Sequence, residues 1–96
     1  MKLITTYTEL NRTFYIVKNE AGYWAIEDKY VDENGKLLKQ FNGITGLRSD
    51  TVSECLSRTS TQIKVDYYIS EGMTAAQASV YVITGKLLPA ELLKTI

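Results

Sequence analysis

From Met73 to Gly85 the sequence MTAAQASVYVITG contains no charged side chain. This run constrains the fold more than any other feature of the chain. Thr74 with Gln77 three residues on has the form of a capping box, in which a hydroxyl accepts from a backbone N–H of the first turn while the amide reaches back. Gly85 supplies a residue able to take the left-handed conformation that ends a helix. The stretch between is predicted to be a helix, apolar nearly all round. Such a helix is expected to be buried on most sides. Gly72 stands just before it, so residues 60 to 84 also have the order of a helix-turn-helix. A second helix that reads DNA needs Arg, Lys, Asn or Gln for base edges and cations for phosphates. Gln77 is the one side-chain amide in the run. The expectation is a helix that meets protein, with Val80 and Tyr81 as contact residues.

The preceding segment predicts a longer helix from about residue 51 to 71. Thr51 and Glu54 form another capping box, and Gly72 ends the helix. Val52, Leu56, Thr59, Ile63 and Tyr67 recur at helical spacing and form one stripe. Val65 and Tyr68 fall well off that stripe, which gives the second half of the helix two apolar sides. Either the following helix folds back over them or two chains meet there in a homodimer. Pro89 opens a short third helix, PAELLKT.

Residues 1 to 46 read as strands. LITTYTEL and TFYIVKN are rich in aromatic and β-branched residues. NEAG at 19 to 22 is a turn. YWAIEDKYV at 23 to 31 alternates, with Trp24, Ile26 and Tyr30 on one phase. Asn34-Gly35 signals a hairpin into KLLKQFNG at 36 to 43. The expected fold is α+β, an antiparallel meander of three to four strands followed by one long and two shorter helices. It forms a single domain over 1–96, with the meander in 1–46 and the helical part in 47–96. Alternation places Trp24, Ile26 and Tyr30 on the covered face with Phe14 and Ile16. Tyr15 and Tyr23 then share the open face with Glu27 and Lys29, where they offer aromatic contact area to a partner.

Charge and special residues narrow the function. The chain has 11 basic and 11 acidic residues. Each half is balanced, so the phosphate-neutralising term of nucleic-acid binding has little to draw on. The N-terminus has no apolar run of the roughly 7 residues a signal peptide needs, and nothing approaches the roughly 18 of a membrane span. A cytoplasmic address is the default. With one cysteine, Cys55, and no histidine, the common zinc spacings and a Cys–His nucleophile are missing, and a buried inert thiol is expected. Glu27 and Asp28 are neighbours on a predicted strand and point to opposite faces, so they cannot share a task. Asp32 and Glu33 are turn residues. GITG at 43 to 46 lacks the lysine of a phosphate-binding loop, and Arg48 is the cation placed to help an anion there. No catalytic set, metal or cofactor is expected.

The runs KYVDENGKLLKQFNGITG and VDYYISEGMTAAQASVYVITG resemble small uncharacterised proteins encoded in prophages of Gram-positive bacteria. The resemblance implies an accessory protein that acts by binding a host or phage component. Residues and resemblance together predict a non-enzymatic protein-interaction module with an unidentified protein partner. Its candidate surface is Tyr15, Tyr23, Val65, Tyr68, Val80 and Tyr81. A nucleic-acid-binding regulator using residues 60 to 84 is the alternative, and a small enzyme or ligand carrier is the third.

Overall fold

The computed structural model describes residues 2–32 and 48–86. The fold is α+β: three antiparallel strands precede two helices, one of 19 residues and one of 10. The predicted return strand at 36 to 43, the loop GITG and the helix after Pro89 lie outside the described residues. The chain divides into two compact units, Met1–Thr59 and Ser60–Ile96.

In the first unit, strands β1 (Lys2–Glu9), β2 (Arg12–Asn19) and β3 (Gly22–Glu27) pair in sequence order. Two-residue turns join them. The first is Leu10-Asn11, flanked by the pair Glu9 and Arg12. Both turn residues have positive φ, 51° and 65°, the backbone that matches the twist of a tight hairpin. The second is Glu20-Ala21, inside the predicted NEAG turn. The Asn19 side-chain oxygen accepts from the N–H groups of Ala21 and Gly22 and from Trp24 Nε1 at 2.9 Å, so one side chain fixes both the turn and the indole.

That second turn sets the register and corrects the expected faces. Val17 pairs with Trp24 and Tyr15 with Ile26. Residues paired directly across strands share a face. Trp24 and Ile26 therefore lie with Tyr15 and Val17, whereas Tyr23 lies with Phe14, Ile16 and Glu27. Tyr15 and Tyr23 are on opposite faces, and Trp24 does not join Phe14 and Ile16. Ile16 on one face and Val17 and Ile26 on the other are all buried, so β2 is covered on both sides. The strand expected to reach residue 31 ends at Glu27. A 3-10 turn over Asp28–Tyr30 follows, which takes Tyr30 out of the alternation.

A short segment ties the start of the long helix to the outer edge of β3. Tyr23 and Ser49 exchange both backbone hydrogen bonds, at 2.9 and 3.0 Å. The close approach requires glycine at position 22: its φ is +147°, and a Cβ there would meet the Ser49 carbonyl oxygen at 2.8 Å. Arg48 donates to the Ala21 carbonyl and pairs with Asp50, while Arg58 donates to the Arg48 carbonyl at 2.7 Å. Thr51 then caps α1 (Val52–Ser70) by accepting from the Glu54 N–H. The buried line along α1 is Cys55, Thr59 and Ile63, at spacings of four. The expected stripe shares Thr59 and Ile63 with it. It differs at Val52 and Leu56, which are half-buried while Cys55 is buried, and at Tyr67, which continues the line by four but is 44% exposed.

In the second unit α1 ends in a Schellman motif. Met73 N–H bonds the Tyr68 carbonyl and Gly72 N–H the Ile69 carbonyl, with Gly72 at positive φ. Helix α2 (Ala75–Thr84) opens on the predicted box: Thr74 accepts from Gln77 N–H, and Gln77 Oε1 accepts from Thr74 N–H. Gly85, at φ 73°, closes it with a bond to Tyr81.

Candidate interaction surfaces

The six residues expected to form a contact surface are all half-buried: Tyr15, Tyr23, Val65, Tyr68, Val80 and Tyr81. The register separates Tyr15 from Tyr23. Tyr23 has Lys18 beside it, its ammonium 5.4 Å from the ring centroid. Tyr68 and Tyr81 meet edge to face, centroids 4.9 Å apart, so much of their apolar area is spent on each other inside the second unit.

The openly exposed apolar side chains are others. On the second unit they are Ile83, 73% exposed, Tyr67 at 44% and Ile69 at 41%. In α2 only Ala78 is fully buried, so the helix is far less enclosed than an all-round apolar sequence implies. On the first unit the exposed residues are Leu3, Ile4 and Leu10, on β1 and its turn.

Among the described residues, several charged side chains hold the fold. Arg12 makes a two-pronged contact with Glu27, at 2.8 and 2.9 Å, and its guanidinium lies over Phe14. Glu27 also has Lys29 at 3.7 Å. Glu54 pairs with Arg58 at 2.9 Å. Arg48, the cation expected to serve an anion, is held by Asp50 and the Ala21 carbonyl. Gln77 uses its side-chain oxygen in its own helix cap. Among the described residues no three His, Cys, Asp or Glu side chains converge on one point. A shallow depression lined by Lys2, Lys18, Asn19, Glu20 and Ala21 is open to solvent.

Cys55 is buried. Burial pushes its thiol above the ordinary value, partly offset by the hydroxyls of Ser49 and Thr59. Thr59 donates to the Cys55 carbonyl at 2.7 Å. The buried Ser49 hydroxyl lies near the thiol but finds no partner of hydrogen-bond geometry among the described residues. A thiol held protonated in this way is a poor nucleophile.

Among the described residues, no helix is long and apolar enough to cross a membrane. No protein-family model, curated protein or solved structure matches the chain.

Proposed function

We propose that this chain is a small cytoplasmic protein-interaction module that performs no chemistry of its own. The observation that carries the reading is α2: a helix without a charged residue, with Ile83 open to water. Apolar area of this kind is stabilised by contact with protein, at about 25 cal/mol for each Å² covered. Tyr67 and Ile69 extend the apolar surface of the same unit. The partner is a protein, a second copy being one such partner. The resemblance to prophage proteins supports an accessory role against a host or phage component.

Quantitative affinity capture from a bacterial lysate tests the reading, with wild type and the variants Ile83→Gln and Tyr67→Gln as baits. These substitutions remove apolar area and keep the helix-forming tendency. The expected result is a partner retained by wild type and depleted by both variants. A partner retained equally by all three baits would remove α2 from the interface.

The alternative, a nucleic-acid-binding regulator, is favoured by one feature, the order of helix, glycine turn and capped helix across residues 60 to 84. The uncharged α2 and the commitment of Gln77 to its cap weigh against it.

A further inference from the structure

The outer edge of β1 has no strand partner among the described residues. Leu3, Ile4, Thr5, Thr6 and Thr8 are exposed along it, and Leu3 is 56% exposed. No charge interrupts the strand between Leu3 and Thr8. Edge strands are commonly blunted by lysine, proline or short length, because their unpaired N–H and C=O groups template further pairing. β1 is eight residues long and has charges only at its ends, Lys2 and Glu9. The outer edge of β3, by contrast, is closed at Tyr23 by Ser49.

We propose that β1 pairs antiparallel with β1 of a second copy, about a two-fold axis at Thr6, so that two three-stranded sheets become one. The inference builds on the protein-interaction reading and adds to it the partner and the edge. The charges specify the register. Lys2 stands opposite Lys18, and Glu9 stands opposite Arg12. Lys18 and Arg12 are an even number of residues apart on β2, so all four side chains share one face. With the axis at Thr6, Lys2 of each copy lies opposite Glu9 of the other. A row then forms across the joined sheet in which that carboxylate sits between Lys2 of one copy and its own Arg12. Within one copy Lys2 stands opposite the like charge of Lys18, a destabilising cross-strand pair that the arrangement offsets.

The bulge in β1 fits the same axis. Register slips by one residue between Leu3 and Thr5, leaving Ile4 as the extra residue. Pairing Lys2 with Glu9 and Leu3 with Thr8 sets the Ile4–Thr5 step opposite Tyr7. The two-fold repeats this at the other end, so both copies accommodate the same irregularity. An axis at Tyr7 would instead set Glu9 opposite Thr5 and would not bring Lys2 opposite Glu9 across the axis.

Sedimentation equilibrium on the full chain tests the inference, with Lys2→Glu, Glu9→Lys and the double reversal. Wild type is expected to be a dimer. Each single reversal sets like charges face to face twice across the axis and should weaken the dimer about fivefold to tenfold, and the double variant should recover most of that loss. Lys2→Glu also relieves repulsion at Lys18, so its thermal unfolding at dilution should match or exceed wild type, which separates a lost interface from a lost fold. As a second measurement, Thr6→Cys in a Cys55→Ser background should form an interchain disulfide under mild oxidation. A monomer at high micromolar concentration, or a dimer indifferent to both single reversals, overturns the proposal. A monomer that still captures a partner through Ile83 also ends it and leaves the module reading standing.

Discussion

Tyr68 on α1 and Tyr81 on α2 meet edge to face, ring planes at 82°. Tyr67 adds a second edge contact to Tyr68 at 5.3 Å. The second unit thus has an aromatic clasp of its own between its two helices, and Tyr68 is a packing residue of that unit.

Truncating either ring should destabilise the second unit, and the two losses should not add. A double-mutant cycle on Tyr68→Ala and Tyr81→Ala is expected to give a coupling of about 0.5–1.5 kcal/mol in chemical unfolding. Additive losses would mean that the rings do not meet in solution.

Gly22→Ala should be costly although the added group is one methyl. The new Cβ meets the Ser49 carbonyl oxygen at 2.8 Å, and φ at +147° strains any L side chain. The expected loss is about 1–3 kcal/mol. For a chain of this size that lowers Tm by about 4–8 °C per kcal/mol. Amide exchange at Tyr23 and Ser49 should rise more than at Thr6, because their paired bonds are the ones pushed apart. Unchanged exchange at Ser49 would contradict the bridge.

The Cys55 thiol links stability to alkaline pH. Burial raises its folded pKa above the unfolded value of about 8.5, so the native state favours the protonated thiol. Its contribution is complete below about pH 8.5 and is lost as pH rises toward the folded pKa. Urea unfolding between neutral pH and about pH 10 should show the stability gap between wild type and Cys55→Ala shrinking as pH rises. A gap independent of pH would place the thiol in water. Native protein should also resist iodoacetamide until it unfolds.

Much of the fold was legible where local chemistry decides. The capping box at Thr74 and Gln77, the stop at Gly72 and the turn at NEAG stand where the residues predicted them, because each is set by groups within four positions. The face assignment failed on a non-local quantity, the register. Reading Asn19 and Gly22 as the flanking pair of a two-residue turn would have paired Val17 with Trp24 and separated Tyr15 from Tyr23. The first connection, read as NRT at 11 to 13, is instead the turn Leu10-Asn11, because leucine rarely adopts positive φ and the residue type did not mark it. The bulge at Ile4 left no sequence mark. For the candidate surface, residue type pointed to Tyr68 and Tyr81, but a tyrosine free to bind and a tyrosine clasped by another read alike in one dimension. Exposure at Ile83 depends on how little of α2 its surroundings cover, which periodicity does not encode.

A chain that uses α2 to contact protein should not bind a polyanion. Fluorescence anisotropy with duplex DNA, begun at low ionic strength and repeated as salt is raised, tests this most directly. No saturable binding is expected at any salt concentration. Binding at low salt that weakens steeply and linearly in log salt, the signature of released counterions, would contradict it.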